Sequence, residues 1–275
     1  MTSAWIDYST FYLSTHPQQS QGWKEARSER LTASNFGHLV VPKYKNQQQL
    51  ADDLLCARTE TFSEDALERM RHGTVTEDPA RDWYSTVTND ATTSWYATNA
   101  DNSARQWYST TYKVPVIQVG LAVPKWCQQI GGSPDGLVGT DGLIEIKCPK
   151  IMYWSLTYKI QGKPLETGAS FGIPAHLTPK MKEGEYDTCP VYLKYPHIPI
   201  THYAQMQGNL AIFGRKWCDY IVYATDSGQA YVERVMYDHD FWIDLYGRIQ
   251  AFLSRVVPAR RAELIKQGKL LVLPS

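Results

Sequence analysis

Two carboxylates and a lysine lie on two short, neighbouring apolar segments. Residues 133–138 read SPDGLV and residues 143–148 read LIEIKC, with only GTDG between them. Side chains alternate along a strand, so Glu145 and Lys147 share one face and the flanking isoleucines point to the other. If the two segments pair as a hairpin, Asp135 comes near Glu145 across the ladder.

This pattern favours a site for a hard divalent cation. Two close carboxylates repel, and burying either is costly unless a positive charge compensates. Mg²⁺ binds through one or two carboxylates and keeps its other positions for water and substrate phosphate. A lysine on the same face can orient a reacting water and stabilise charge on phosphate. An isolated E-x-K is more often an ordinary solvated hairpin, but the upstream Pro-Asp and the alternating apolar residues favour the metal site.

The surrounding elements predict a mixed sheet flanked by helices. Helical patterns occupy residues 20–40 (with a break), 47–70 and 72–87, and the period changes from 3.6 to 2 from about residue 111. The stretch THYAQMQGNLAIFG predicts an amphipathic helix, followed by two strands joined at DSG and a closing helix. Residues 149–200 are rich in proline and lack periodicity, which predicts an irregular insertion at about 149–200 within a single domain over 1–275.

Composition limits the classes of protein. The 275 residues are 43% hydrophobic and 20% charged, which suits a folded domain with a sizeable core. Basic and acidic residues number 28 each, so the net charge neither indicates nor excludes nucleic-acid binding. Five cysteines without a CxxC predict reduced thiols. The N-terminus lacks signal-peptide features and no long apolar run occurs, so we expect a soluble, intracellular protein without a membrane span.

The hairpin resembles the active-site hairpin of the PD-(D/E)xK nucleases. SPDGLVG followed by LIEIKCP is similar, more narrowly, to the lambda exonuclease and YqaJ-type viral recombinase branch. Three further segments resemble that family in the right order: WKEARSERLTASNFG, HGTVTEDPARDWY and YAQMQGNL. The resemblance spans roughly residues 20–260. It implies an α/β (α+β) fold with a restriction-endonuclease-like core, in which a central mixed β-sheet is flanked by helices.

The resemblance also implies roles for particular residues in catalysis. Asp135 and Glu145 match metal ligands, and the backbone carbonyl of Ile146 completes the shell. Lys147 and Gln205 match residues that hold the attacking water or the phosphate. Glu77 matches the first acidic residue of the family's active site. Glu77 could instead be an acid in the first turn of a helix, and the adjacent Asp78 could be the residue whose side chain points into the site.

A second set of residues matches a pocket for a 5′-terminal phosphate. It comprises Arg27, Ser34 and Ser133, and an arginine fork with hydroxyl donors suits a phosphate dianion. Arg27 could instead pair with a neighbouring glutamate on the surface. Met70 falls where the family carries an apolar wedge between terminal base pairs, but a core methionine is an equal alternative. Gln207 is a lesser candidate, because it lies on a different helix face from Gln205.

The family implies a Mg²⁺-dependent deoxyribonuclease that degrades one strand of duplex DNA from a 5′-phosphorylated end, 5′ to 3′. It also implies two Mg²⁺ ions with Mn²⁺ as a substitute, duplex DNA ends as substrate, a homotrimer, a single-strand annealing protein as partner, and the cytoplasm or a host nucleus as compartment. The rival interpretations are an endonuclease, an alkaline-type DNA/RNA nuclease, and a non-catalytic DNA-end-binding subunit.

Other reactive residues fit no standard motif. The spacing of His176, Cys189, His197 and His202 matches no zinc site. Cys148 alternates onto the face away from Lys147, as a core cysteine would. A basic C-terminal segment could contact DNA backbone or simply be a solvated helix face; it contains Arg255, Arg260, Arg261, Lys266 and Lys269.

Overall fold

A computed structural model describes residues 4–28, 30–42, 45–55, 99–148, 195, 198–224 and 229–270. The strands are β1 (Trp5–Asp7), β2 (Phe11–Ser14), β3 (Leu31–Thr32), β4 (Val116–Ile117), β5 (Ala122–Pro124), β6 (Ile130–Gly131), β7 (Gly136–Val138), β8 (Gly142–Lys147), β9 (Trp217–Ala224) and β10 (Gln229–Met236). The α-helices are α1 (Gln21–Ser28), α2 (Ala33–Phe36), α3 (Gln47–Leu54), α4 (Asn99–Tyr112), α5 (Ile200–Phe213), α6 (His239–Ala251) and α7 (Val257–Lys266). A 3₁₀ turn, Gly37–Leu39, follows α2, and a π-helical segment, Phe252–Val256, joins α6 to α7.

The central sheet has five strands in the order β10-β9-β8-β7-β4. Strands β7 and β8 form the predicted antiparallel hairpin, with Gly136 opposite Ile144. Strand β8 pairs in parallel with β9, which places Glu145 beside Tyr220. Since the other pairs of this sheet are antiparallel, the sheet is mixed, as predicted. Two smaller sheets, β1-β2-β5 and β3-β6, lie beside it in the described chain.

Helices cover both faces of the sheet, and the alternation along β8 decides which side chain meets which helix. Ile144 and Ile146 pack with Ala104 and Tyr108 of α4 in one buried cluster. Leu143 belongs to the larger cluster on the opposite face, which contains most of α5. The residues of β8 at odd positions therefore face α5, and this is the face that carries Glu145.

Helix α5 is buried on nearly all sides, so the prediction of an amphipathic helix was wrong. It lies against α2 and α6 as well as the sheet, and so leaves no broad polar face. Two glycines allow α2 to approach it closely. A Cβ on Gly37 would lie 2.4 Å from the Thr201 Cα, and one on Gly208 would lie 2.5 Å from the Phe36 ring. The helix ends at Gly214, whose φ of 63° gives a left-handed cap.

A buried polar network fixes α4 to the other face. Asp219 of β9 is 1% exposed and accepts two hydrogen bonds from Arg234, at 2.7 and 2.9 Å. The hydroxyl of Tyr108 donates to the same carboxylate. Burial, followed by the charge of Asp219, raises the pKa of Tyr108, so the phenol stays protonated. The guanidinium of Arg234 also lies 3.7 Å from the ring centre of Trp217, and these contacts together hold α4 in one position.

Several predictions concern residues outside the described ranges. Glu77, Asp78 and Met70 lie there, as does most of the proline-rich segment at 149–200. Their roles, and the single-domain organisation, stay predictions. Among the helices that the structure describes, none is long and apolar enough to span a membrane.

Candidate active site

The carboxylate of Glu145 is the centre of a small polar cluster. Its side chain is 2% exposed. One oxygen, Oε1, lies 2.6 Å from Lys147 Nζ and 2.6 Å from Gln205 Nε2. The ammonium of Lys147 also donates to Gln205 Oε1 at 3.4 Å. Strand β8 thus supplies the acid and the lysine from one face, and α5 supplies the amide that contacts both.

Asp135 lies next to this cluster because of the hairpin register. Gly136 pairs with Ile144, so Asp135 falls opposite Glu145 at the next ladder position. Its backbone amide donates to the Ile144 carbonyl at 3.2 Å. Its carboxylate oxygen Oδ2 accepts from the Ile146 amide at 2.6 Å. The structure therefore brings Asp135, Glu145 and Lys147 together, as the hairpin pattern predicts, and places Ile146 and Gln205 beside them, as the family resemblance implies.

The oxygen donors of this cluster fit a hard divalent cation. Asp135 and Glu145 lie opposite each other across the hairpin, Glu145 is almost fully buried, and the Lys147 ammonium contacts Glu145. That charge balance favours a further positive charge. In the part of the chain that the structure describes, no group of three or more His, Cys, Asp or Glu side chains could hold a metal. A site here would therefore rest on Asp135, Glu145 and the Ile146 carbonyl, with the predicted Glu77 outside the described residues.

The electrostatic field of this acidic cluster extends to neighbouring groups. Cys218 of β9 is buried on the same face of the sheet as Glu145. Burial, followed by the charge of Glu145, raises the pKa of the Cys218 thiol well above its ordinary value. The thiol is therefore protonated and packs as an apolar group.

Arg27 of α1 meets two hydroxyl groups at the start of α2. Its Nη2 donates to Thr32 Oγ1 at 3.1 Å and to Ser34 Oγ at 3.0 Å. Burial lowers the pKa of Arg27 to about 10, and the negative charge of Glu145 opposes that shift. The guanidinium is therefore charged at neutral pH and lies within the field of the acidic cluster. Arg27 and Ser34 are thus together, as predicted, and the surface pairing of Arg27 with a glutamate is not what the described contacts show.

Ser133 joins this group through a tryptophan. The indole Nε1 of Trp23 donates to Ser133 Oγ at 3.2 Å, and the Arg27 guanidinium stacks 4.3 Å from the centre of the Trp23 ring. Ser133 also donates to the Gly120 carbonyl at 3.3 Å. A cavity of about 250 Å³ opens beside Trp23, Arg27 and Thr32. Trp23, Arg27 and Thr32 line this cavity, whereas Ser34 and Ser133 join the group through their hydrogen bonds with Arg27 and Trp23. These five residues are called the hydroxyl pocket below.

Gln207 does not reach the active site. Its Nε2 donates to the Met236 carbonyl at 2.9 Å, and its Oε1 accepts from the Asp238 amide at 2.8 Å. Both polar groups of this fully buried side chain therefore connect α5 to the junction between β10 and α6. The helical offset of two residues from Gln205 is the reason, since it turns the side chain to another face.

The sequence interpretation missed two neighbouring residues and weighed a third, His202, only as a zinc ligand. Trp23 and Thr32 contact Arg27, and both lie within the segment that resembles the family, so spacing from Arg27 could have pointed to them. His202 of α5 has its Nδ1 2.9 Å from the Tyr220 hydroxyl. Burial, followed by the charge of Lys147, lowers the pKa of His202 to about 3, so the imidazole is neutral. Its position depends on the parallel pairing of β8 with β9, which no local signal indicates.

The remaining candidates have structural surroundings. Cys148 packs with the Ile144 and Ile146 side chains against α4, as predicted for a core cysteine. Arg260 of the basic C-terminal segment donates to both oxygens of Asp52 in α3, at 2.6 and 2.9 Å. Of the residues considered for zinc, the structure describes only His202, and its described partner is a tyrosine.

Known proteins share this fold. The family model of the YqaJ-like viral recombinase domain matches residues 22–216. The crystal structure of an alkaline exonuclease, LHK-Exo, from Laribacter hongkongensis is similar at 23% identity and a TM-score of 0.58, covering 92% of this chain and 100% of that one. The structure of LHK-Exo in complex with dAMP gives 24% identity with the same TM-score and coverage. No curated protein sequence matches. At these identities the structural likeness shows the fold, and it confirms the predicted α/β core.

Proposed function

This chain belongs to the YqaJ-like viral recombinase domain family, and on that premise we propose that it is a metal-dependent exodeoxyribonuclease. It would degrade one strand of duplex DNA, 5′ to 3′, from a 5′-phosphorylated end and leave 3′ single strand for recombination. The observation that carries the proposal is the convergence of Lys147 and Gln205 on one oxygen of buried Glu145, with Asp135 opposite Glu145 across the hairpin.

Asp135, Glu145 and the Ile146 carbonyl would hold the metal. Mg²⁺ is the proposed ion, as a pair of ions in the full site, and Mn²⁺ would substitute because it accepts the same oxygen ligands. A metal held there would supply Lewis-acid chemistry, activating a water and polarising the phosphoryl oxygen. The amide of Ile146 holds the Asp135 carboxylate in place, so this ligand is oriented before any cation arrives.

Lys147 and Gln205 would act on the water and the phosphate. The Lys147 ammonium is held between Glu145 Oε1 and Gln205 Oε1, which fixes its position beside the proposed metal ligands. From there it can donate to the attacking water and stabilise the charge that develops on phosphate. The Gln205 amide restrains Glu145 and Lys147 together, so it would orient the reacting groups rather than exchange protons.

The hydroxyl pocket would bind the 5′-terminal phosphate and thereby set the 5′ to 3′ direction of degradation. Its charged fork, Arg27, has two hydroxyl neighbours, Thr32 and Ser34, that can turn toward an anion. Ser133 connects the pocket to the active site because it lies two residues before Asp135 in the same segment. A terminal phosphate held by the pocket would place the next phosphodiester over the acidic cluster. The dAMP bound by LHK-Exo, a 5′-nucleotide, is consistent with such a product.

The proposal is tested with purified protein, Mg²⁺ and three substrates of equal sequence. These are linear duplex with 5′-phosphate ends, linear duplex with 5′-hydroxyl ends, and closed circular duplex. We expect mononucleotides from the first, slower release from the second and no cutting of the third. Cutting of the circle would show an endonuclease, and end binding without release would show a non-catalytic subunit.

Matched variants then locate the site. Asp135→Ala should abolish nucleotide release while the protein still folds and binds duplex DNA. Asp141→Ala is the control, because this acid lies in the same hairpin but pairs with Lys216 at the surface. Release by Asp135→Ala at the rate of Asp141→Ala would refute the assignment.

We also propose the assembly that the family resemblance implies. The protein would form a homotrimer and act with a single-strand annealing protein on duplex ends. Sedimentation equilibrium of the purified chain would give a mass of three subunits, since one subunit has a mass of 31.3 kDa. A single-subunit mass at all concentrations would oppose the trimer without affecting the nuclease assignment.

A further inference from the structure

The short segment that carries Asp135 is held by side chains from distant parts of the chain. It joins β6 to β7 and lies outside the regular ladder of the central sheet. Gln18 donates to the Pro134 carbonyl at 2.9 Å, and Arg105 of α4 donates to the Asp135 carbonyl at 3.0 Å. These bonds satisfy two backbone carbonyls of the segment, as ladder hydrogen bonds satisfy the backbone groups of a strand.

We propose that Arg105 is a positioning residue that sets the Asp135 carboxylate for metal binding from the opposite side of the sheet. This inference rests on the proposed metal-dependent nuclease. It assigns Arg105 no contact with the substrate; the guanidinium acts only through the Asp135 backbone.

The surroundings of Arg105 hold its side chain in one orientation. The side chain is 6% exposed, and a buried guanidinium is costly unless its donors are bonded. With its amide oxygen toward Arg105, Gln118 accepts from Nη2 at 2.7 Å and from Nε at 3.1 Å. Nη1 then donates to the Asp135 carbonyl. Gln118 therefore orients the Arg105 guanidinium while the guanidinium holds the Asp135 carbonyl. A lysine could not reproduce this arrangement.

Asp135 is consequently restrained at three points. Its amide donates to Ile144, its carbonyl accepts from Arg105, and its carboxylate accepts from Ile146. The first and last belong to the hairpin itself. Among these three, only the bond from Arg105 comes from another element, so together with the Gln18 bond to the Pro134 carbonyl it restrains the direction in which the segment enters β7. A metal ligand must be held to within about 0.5 Å of its productive position, and such precision depends on supports of this kind.

The helix that carries Arg105 is itself rigidly placed. Tyr108, one turn further along α4, donates to the buried Asp219 carboxylate, which Arg234 also binds. Arg105 therefore belongs to a helix that is fixed to β9. Its guanidinium links the position of α4 to the position of the Asp135 backbone.

The test compares Arg105→Gln with Arg215→Gln. Arg215 is the matched control, because it donates to the Gly139 and Gly142 carbonyls at the far end of the same hairpin, at 2.6 and 3.3 Å. Two quantities are measured for each protein: the Mg²⁺ concentration that gives half-maximal nucleotide release, and the dissociation constant for Mn²⁺ by calorimetry without DNA. Arg105→Lys is added to separate the loss of charge from the loss of the fork.

We expect Arg105→Gln to raise both the Mg²⁺ requirement and the Mn²⁺ dissociation constant about tenfold or more, in the range of supports behind metal ligands. The maximal rate at saturating Mg²⁺ should change much less. Arg105→Lys should remain impaired, and Arg215→Gln should match the wild type in both quantities. A folded Arg105→Gln protein with unchanged Mg²⁺ requirement and Mn²⁺ affinity would overturn the proposal, as would an equal effect of Arg215→Gln.

Two safeguards keep the outcomes separate. If Arg105→Gln does not fold, the exposed Gln118 is replaced by alanine; a raised Mn²⁺ dissociation constant supports the positioning role and an unchanged one refutes it. If the wild type binds Mn²⁺ but releases no nucleotides, the proposed function fails, while the Mn²⁺ comparison still decides the role of Arg105.

Discussion

Gln205 Nε2 lies 2.6 Å from Glu145 Oε1, the atom that also accepts from the lysine two residues along the strand. An α-helix and a β-strand far apart in the sequence thus share one carboxylate oxygen. Because the amide oxygen of Gln205 also accepts from that lysine, this one side chain restrains both members of the ion pair. The arrangement explains why a neutral residue belongs in a charged site.

Replacement of Gln205 by leucine should therefore slow the reaction. We expect a fall in the maximal rate on the order of 10²-fold, as for loss of one oriented group in an active site, with little change in the DNA concentration for half-maximal rate. Gln207→Leu is the matched control on the same helix. It should lower the free energy of unfolding by about 1–3 kcal/mol, since two buried backbone groups lose their partner, but leave the rate per folded molecule intact. Equal rates for the two variants would contradict the role of Gln205.

Divalent cations should stabilise the folded protein. A ligand that binds only the folded state adds about 2.7 kcal/mol at a concentration 100 times its dissociation constant. Thermal unfolding with increasing Mg²⁺ or Mn²⁺ should therefore show a rising Tm for the wild type and a flat response for Asp135→Asn. Asp141→Asn, in the same hairpin, should follow the wild type. A parallel rise in Asp135→Asn would place the bound cation elsewhere.

Arg27 should determine the preference for a phosphorylated end. A hydrogen bond to a charged group contributes about 1.5–3 kcal/mol, so Arg27→Gln should reduce the preference for 5′-phosphate over 5′-hydroxyl duplex by about 10- to 150-fold. Competition between the two substrates measures this ratio directly. Arg30→Gln is the control for loss of nearby positive charge, because Arg30 donates to the Ala26 and Gln128 carbonyls. An unchanged ratio in Arg27→Gln would remove the hydroxyl pocket from the mechanism.

His202 should weaken the fold in acid. Burial, then the Lys147 charge, lowers its pKa in the folded state to about 3, whereas it titrates near 6.5 when unfolded. Between these values the unfolded chain binds the extra proton, so stability is present above pH 6.5 and is lost as the pH falls below it. The slope from this group approaches about 1.4 kcal/mol per pH unit. Urea unfolding from pH 7 to 4 should show a shallower loss for His202→Gln; identical slopes would mean that His202 is protonated in the folded protein.

The hairpin was predictable because its information is local. Alternation along residues 143–148 was enough to put Glu145 and Lys147 on one face, and the short link placed Asp135 across from Glu145. Gln205 came from the order of motifs in the family resemblance. Arg105 was not predictable, since its contact with Asp135 depends on how α4 docks onto the sheet. The burial of α5 was misjudged for a similar reason: the polar residues in its sequence bond to neighbouring elements rather than to solvent, and only the packed fold shows which.

The close contact between α2 and α5 has a consequence for product length. Gly37, directly after α2, lies against the Thr201 backbone, and Gly208 of α5 lies against the Phe36 ring, so α2 and α5 pack closely; these helices carry Ser34 and Gln205. On the proposed function, this close packing would keep the distance between the 5′-phosphate site and the cleavage site constant from one cycle to the next. On the proposed function, the pair of helices serves as a fixed gauge, so every cut would remove a fragment of the same size.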